Sequence, residues 1–168
     1  MTRDSLNAHR HHGAAVPAGQ LDTTEDVMIA DLKMQRALDR YHRAGAAGLS
    51  ELEKTLATVW YFESRVANAG FASFFRSPEG ELAGYAPTAL RRIGAAPLAT
   101  LAERANAVFG SAGVPANREE RLRRVGALSP EEQVLFGRLE DEYIAYDTDL
   151  DALIEAYVTQ AAHAPRQP

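Results

Sequence analysis

The stretch from Ser50 to Phe75, which reads SELEKTLATVWYFESRVANAGFASFF, decides the fold of this chain. Ser50 and Glu53 form a capping box, in which the serine side chain accepts from the glutamate amide and the glutamate side chain accepts from the serine amide. Apolar residues then recur with the helical period. Gly70 supplies a left-handed helix stop. The stretch predicts a long helix that ends near Gly70, followed by phenylalanines that pack into a core.

Similar helix signals recur along the rest of the chain. Asn117 and Ser129 each precede a glutamate by three residues, and Pro97 suits a first helical turn because it has no amide hydrogen to leave unpaired. Pro87 is expected to kink or divide a helix between Leu82 and Ile93. No run of alternating β-branched and polar residues with hairpin turns is present. The fold is predicted as all-α, a single compact domain of roughly seven to nine helices.

The two ends of the chain differ from its interior. Residues 1–22 are rich in histidine and glycine and have no repeating apolar face, so we expect a mobile tail there. Residues 23–160 are expected to form the helical domain, and residues 161–168 a second mobile tail. Three closely spaced imidazoles on a mobile chain have no fixed geometry, so we expect no native metal site.

Composition excludes several classes of protein. The chain has 168 residues, of which 46% are hydrophobic and 24% charged, as in an ordinary globular domain. It contains no Cys, which excludes disulfides and thiolate nucleophiles. Without an apolar run that resembles a signal or a membrane span, we expect a cytoplasmic location. The sequence carries none of the common catalytic or nucleotide-binding motifs, so we expect neither enzymatic activity nor a cofactor.

Glu63 has an unusual position in the stretch that decides the fold. Helical projection of residues 50–67 places it near the middle of an apolar arc. A carboxylate that faces a core must be hydrogen-bonded, ion-paired or protonated. Two interpretations stay open. Glu63 either accepts from the free amides of the turn between Asn68 and Phe71, or forms with Asn68 the centre of a small ligand-binding or hydrolytic domain.

A set of short motifs is spread over about residues 50 to 158: Glu63, Asn68, Gly70, Phe71, Phe74-Phe75, Gly80-Glu81, Ile93-Gly94, Ala105-Asn106, Phe109-Gly110, Arg118 to Arg121 and Leu139 to Tyr143. In these motifs the chain resembles the DNA-mimic-protein-like family. The chain departs from the family at Ala67 and Ala69, where Asn and Gly are usual, and at Ser73, where Gln is common. The resemblance implies an all-α fold without enzymatic activity. The best understood relative is an acidic dimer that imitates DNA and occupies a helix-turn-helix transcription factor.

Acidic residues concentrate near the end of the chain. Residues 129–158 contain nine acidic side chains and one arginine, a local balance of −8, whereas the rest of the chain sums to +3. Helical projection places Glu140, Asp141, Asp151 and Glu155 on outward faces, and Asp147 and Asp149 precede the last helix. The predicted partner-binding residues are Glu140, Asp141, Asp147, Asp149, Asp151 and Glu155. Such carboxylates resemble the phosphates that Lys and Arg contact in DNA. An ordinary solvated acidic face is the other interpretation, since acids are favoured in first helical turns whatever the function.

The sequence therefore predicts a non-enzymatic interaction module that binds a basic protein such as a helix-turn-helix transcription factor, with no direct binding to nucleic acid or membrane. A homodimer is compatible with the resemblance. Four arginines between residues 118 and 124 are expected to pair with the acidic face or to give the molecule a dipole. The alternatives are the ligand-binding or hydrolytic domain at Glu63 and Asn68, and a structural or immunity-type module.

Overall fold

The computed structural model of the protein describes residues 24–163 as seven α-helices, with no strand among these residues. The helices are α1 Thr24–Ala44, α2 Glu51–Arg76, α3 Ala86–Arg92, α4 Ala96–Asn106, α5 Arg118–Gly126, α6 Pro130–Ile144 and α7 Leu150–His163. Short 3-10 turns lie at Ala46–Gly48, Pro78–Leu82 and Ala107–Ala112. The all-α prediction and the predicted number of helices are confirmed for this part of the chain.

The predicted tails fall largely outside the described residues. The histidine-rich segment 1–22 lies there entirely, as do residues 164–168. The last helix continues to His163, which is three residues past the predicted end of the domain.

Capping side chains fix where the helices begin. The Ser50 hydroxyl accepts from the Glu53 amide at 3.3 Å, and the Glu53 carboxylate accepts from the Ser50 amide at 2.8 Å. Ser129 and Glu132 repeat this box at the start of α6, with distances of 3.3 and 2.9 Å. The Asn117 side chain accepts from the amide three residues further on, at 3.1 Å. All three predicted helix starts are confirmed, because caps depend only on local sequence.

Pro87 divides the segment that was predicted as a kinked or divided helix. The 3-10 turn ends at Leu82, and α3 begins at Ala86 with the proline in its first turn. Pro97 occupies the same position in α4. Proline is tolerated there because the first amides of a helix have no partner within the helix.

The central helix α2 organises the core. It contacts α1, α3, α5 and α6 and buries one stripe of apolar residues along its length. The ring of Phe62 meets those of Phe74 and Tyr143 edge to face, with centroids 5.9 and 6.1 Å apart. Such contacts add to the free energy of burying aromatic surface. Packing of this cluster fixes where α6 lies against α2.

Candidate functional site

A side chain from α6 closes a break in α2. Ala69 and Gly70 leave the helical conformation, so the amides that follow lack carbonyl partners one turn earlier. Glu140 Oε1 lies 3.0 Å from the nitrogen of Phe71 and accepts its hydrogen bond. A carboxylate is also favoured at the positive end of the new helical segment. Glu140 thus caps the second half of α2 from 69 residues further along the chain.

Gly70 is required at this break for two reasons. Its φ of 75° lies in the left-handed region, where a side chain is strained. A Cβ at this position would also collide with the Glu140 carboxylate, whose Cδ would be 2.6 Å away. Phe71 follows directly and is buried. The predicted interruption at Gly70, with its positive φ, and the packed phenylalanine after it are confirmed, but ψ is 178° rather than that of a left-handed helix stop, and the helix resumes as far as Arg76.

Glu63 does not face the core as the helical projection predicted. It is half-buried at the edge of the apolar stripe of α2, because the centre of that stripe is rotated away from it. The Phe71 amide that was expected to bind Glu63 donates to Glu140. Asn68 is exposed, and its side-chain amide donates to the carbonyl of Ser64 at 2.6 Å. Asn68 therefore satisfies a carbonyl at the end of the first half of α2.

A shallow groove runs beside the capped break. It has a volume of about 400 Å³, is open to solvent and is bounded by α2, α5 and α6. Its lining includes Ala72 and Arg76 of α2, Val125 of α5, and Phe136, Gly137 and Glu140 of α6. We call this surface the α2–α6 groove. Neither Glu63 nor Asn68 lines it.

The six carboxylates predicted to bind a partner have different environments. Asp141, Asp147 and Asp149 are exposed, Asp151 and Glu155 are half-buried, and Glu140 points inward to the Phe71 amide. The prediction of an outward side chain is wrong for Glu140, because the break in α2 needs a cap. It holds only in part for Asp151 and Glu155, which take part in interactions within the protein on a helix that packs against α1.

Asp149 has a structural role as well as an exposed position. Its Oδ1 accepts from the amides of Asp151 and Ala152 at 3.0 and 3.2 Å. This is the arrangement of a helix N-cap, and it accounts for an aspartate just before α7. Its negative charge remains in contact with solvent.

Arginines neutralise two further carboxylates of the acidic stretch. Glu142 pairs with Arg104 of α4 at 2.6 Å, and Glu132 pairs with Arg124 of α5. Hydrogen bonds from these arginines lower the pKa of Glu142 and the pKa of Glu132. The surface formed by residues 129–158 is therefore less negative than the charge count of this segment indicates. Within residues 24–163, Asp141 forms no ion pair and remains exposed.

Arg121 is fully buried, with an exposure of 0%. Its guanidinium donates to five backbone carbonyls, at distances of 2.6 to 3.3 Å. The acceptors are the carbonyls of Phe75, Ser77, Pro78, Pro115 and Ala116. Burial lowers the pKa of Arg121. This side chain ties the end of α2 to α5 and is unavailable to the acidic face.

The other upstream arginines were expected to pair with the acidic face or to create a dipole. Arg124 does pair with Glu132, and it also donates to the carbonyl of Val108 at 2.7 Å. Arg118 donates to the carbonyl of Arg76 at 3.0 Å. Arg118 and Arg124 therefore hold neighbouring backbone segments in place, and Arg123 is exposed.

A polar cluster joins α1 to α2 and to the 3-10 turn Pro78–Leu82. The Tyr41 hydroxyl donates to Glu81 at 2.8 Å, and the Tyr61 hydroxyl lies 3.1 Å from Nε2 of His42. Burial raises the pKa of Tyr41, as does its contact with Glu81. Burial likewise raises the pKa of Tyr61. Each hydroxyl has a partner: the Tyr61–His42 contact holds α2 to α1, and the Tyr41–Glu81 bond holds α1 to the 3-10 turn that follows α2.

Two further properties concern metal and membrane. Among residues 24–163, no group of three or more His, Cys, Asp or Glu is arranged to hold a metal ion. The histidines of segment 1–22 lie outside this range. No helix in the described part of the chain is long and apolar enough to cross a membrane.

These features define a class, a small all-helical protein built on a broken central helix, with acidic residues where its last two helices meet. Residues 47–161 match the DMP19-like protein family, and the chain belongs to this family. The resemblance to DNA-mimic proteins is thereby confirmed. The match includes α2, the α2–α6 groove and the acidic helices. No curated protein and no solved structure matches the chain.

Proposed function

We propose that this protein is a non-enzymatic interaction module that binds a basic protein, such as a cytoplasmic helix-turn-helix regulator, where α6 meets α7. Membership in the DMP19-like family carries the proposal, because that family is of the DNA-mimic type. Asp141, Asp147 and Asp149 are exposed at this junction. Exposed carboxylates offer anionic contacts to the Lys and Arg side chains that otherwise bind phosphates.

The proposed interface is local. Glu132 and Glu142 are paired with arginines, and Glu140 is occupied as a cap. We therefore give these three carboxylates a structural role and propose that the partner binds the exposed aspartates. The partner needs a compact cluster of positive charge to match them, not an extended basic surface.

A ligand-binding or hydrolytic centre at Glu63 and Asn68 gains no comparable support. Asn68 is engaged with the Ser64 carbonyl, and the groove beside the break is lined by Glu140. A purely structural or immunity-type role is compatible with the same fold. That hypothesis differs from our proposal because it predicts no salt-sensitive competition with DNA for a regulator.

The decisive experiment is displacement of labelled operator DNA from purified helix-turn-helix regulators encoded in the same genome. The test variant is Asp141→Asn/Asp147→Asn, which leaves the α7 cap at Asp149 intact. The matched control is Glu119→Gln/Glu120→Gln, which removes the same charge from exposed positions on α5. Circular dichroism checks that both variants are folded.

We expect the wild-type protein to displace DNA from at least one regulator, with an affinity that falls as salt rises. The test variant should bind about tenfold more weakly, and the control variant within about twofold of wild type. Failure to displace DNA from any regulator contradicts the proposal. An equal loss in both double variants shows that only net charge matters and excludes this junction as the interface.

A further inference from the structure

The outer side of α1 carries a cluster of exposed apolar side chains. Seven large hydrophobic residues are exposed in the described part of the chain, and four of them lie between Val27 and Leu32. Met28 is 65% exposed and Leu32 is 47% exposed. Single exposed apolar side chains are ordinary, whereas a contiguous group of them is a candidate interaction surface.

The helical period explains why this cluster faces away from the domain. The buried side of α1 consists of four residues: Ala30, Met34, Ala37 and Tyr41. Helical projection places Met28, Ile29 and Leu32 on the opposite side of the helix. All three are exposed, so neither α2 nor α7, against which α1 packs, covers them.

Opposite charges bound the apolar cluster on the same side of α1. Glu25 precedes Ile29 by four residues, and Arg36 follows Leu32 by four residues. Both charged side chains are exposed, and neither forms an ion pair within residues 24–163. From the N-terminus to the C-terminus, this face of α1 is therefore acidic, then apolar, then basic.

We propose that two copies of the chain pair through this face, with their α1 helices antiparallel. In that arrangement Ile29 of each copy packs on Leu32 of the other, and Glu25 of each copy lies beside Arg36 of the other. A parallel pair would place glutamate against glutamate and arginine against arginine, which repel each other. The charge pattern therefore selects an antiparallel helix of the same sequence as the occupant.

The spacing of these residues suits side-by-side packing of two helices. Glu25, Ile29, Leu32 and Arg36 are separated by four, three and four residues, which is the spacing of the a and d positions in coiled coils. A twofold axis between the helices repeats every contact, so the apolar contact and the ion pair each occur twice. The stripe is about 18 Å long, which is short for a stable dimer, so association depends on protein concentration.

This pairing is independent of the proposed function. The helix α1 lies outside residues 47–161, which match the family, so the evidence for pairing comes from this helix and not from the resemblance. None of the aspartates proposed to bind a regulator lies on α1. Pairing and regulator binding can therefore be tested separately.

The test is sedimentation equilibrium of the full chain over a range of protein and salt concentration. Glu25→Arg and Arg36→Glu each bring like charges together at both ends of the antiparallel pair. Glu25→Arg/Arg36→Glu restores opposite charges, and Met28→Ser/Leu32→Ser removes apolar contacts. Matched controls are single changes of the same charge at exposed positions on α5, Glu119→Arg and Arg123→Glu. Circular dichroism and urea unfolding check that every variant is folded.

We expect the wild-type chain to exchange between monomer and dimer. Each single charge variant of α1 should dimerise at least about tenfold more weakly, while the doubly swapped variant stays within about threefold of wild type and the controls within about twofold. A mixture of Glu25→Arg and Arg36→Glu chains should form heterodimers, because opposite charges then meet at both ends. Met28→Ser/Leu32→Ser should stay monomeric where wild type is dimeric.

Three results would overturn the inference. A wild-type chain that is monomeric at every concentration refutes the pairing and leaves another occupant for this face, such as segment 1–22 of the same chain. A dimer that survives Met28→Ser/Leu32→Ser uses another surface. Weak dimerisation of both single charge variants without recovery in the doubly swapped variant shows that Glu25 and Arg36 do not meet across the interface. Displacement of operator DNA from a regulator reports on the proposed function whichever of these results is obtained.

Discussion

Glu140 Oε1 accepts a hydrogen bond from the Phe71 amide at 3.0 Å, and its carboxylate fills the space beside Gly70 that a side chain would otherwise need. One carboxylate of α6 thereby fixes the break in α2. Because α2 contacts four other helices, the geometry of this break also sets the positions of the phenylalanine cluster and of the α2–α6 groove. The contact is a structural one, and it is testable separately from any binding.

Replacement of Glu140 tests its role as a cap. Glu140→Ala leaves the Phe71 amide without its acceptor and should lower the free energy of unfolding by about 1–2 kcal/mol. Glu140→Gln keeps an acceptor oxygen and should lose less. Urea unfolding measures both values, with exposed Asp141→Ala as the control that should change stability by less than about 0.5 kcal/mol. Equal losses in the alanine variants of Glu140 and Asp141 would contradict the capping role.

Gly70→Ala should destabilise the protein in a way that depends on Glu140. With φ 75° and ψ 178°, Gly70 has a conformation that only glycine adopts readily, and a residue with a side chain there adds about 1–3 kcal/mol of strain. The new methyl group also displaces the Glu140 carboxylate, so the cap is lost in the same step. In Gly70→Ala/Glu140→Ala the loss of stability should therefore be smaller than the sum of the single losses. A double-mutant cycle measures this coupling, and strictly additive losses would show that the two residues act independently.

Ser50 and Glu140 both cap a helical segment, but only the cap at Ser50 could be predicted from the sequence. The Ser50 cap involves residues three positions apart, so its pattern is visible in the sequence alone. The sequence also located the break at Gly70 and the need for an acceptor at the Phe71 amide. One of the two interpretations of Glu63 made it that acceptor, since it is near in sequence, whereas the packing that brings Glu140 from 69 residues away has no local signal.

Arg121 was missed for a different reason. Its acceptors are backbone carbonyls, which exist at every position and leave no pattern of residue types. The available signal was its spacing, since it precedes the buried Val125 by four residues and so shares its face of α5. An arginine on the buried face of a short helix predicts a structural cation rather than a surface charge.

Loss of the Arg121 guanidinium should be the most damaging single change discussed here. Arg121→Gln removes donors from several carbonyls at the end of α2, and each buried acceptor left unsatisfied costs about 1–3 kcal/mol. We expect at least about 3 kcal/mol of lost stability, or failure to fold. Exposed Arg123→Gln on the same helix is the matched control, with an expected change within about 0.5 kcal/mol. Urea unfolding and soluble yield report the difference, and similar stability in both variants would refute the structural role.

The pairing of Tyr41 with Glu81 predicts how stability depends on alkaline pH. Burial and Glu81 raise the pKa of Tyr41 above its ordinary value, so folding favours the neutral phenol. Its contribution to stability is complete below the unfolded pKa of about 10 and is lost as pH rises toward the folded pKa. For this one group the free energy of unfolding falls by up to about 1.4 kcal/mol per pH unit.

Tyr41→Phe should be less stable than wild type near pH 7, by about 1 kcal/mol for the lost hydrogen bond. Above pH 10 the free energy of unfolding of this variant should fall less steeply with pH than that of wild type. Urea unfolding between pH 8 and 11 measures both differences, and parallel curves for the two proteins would show that Tyr41 ionises as it does in an unfolded chain.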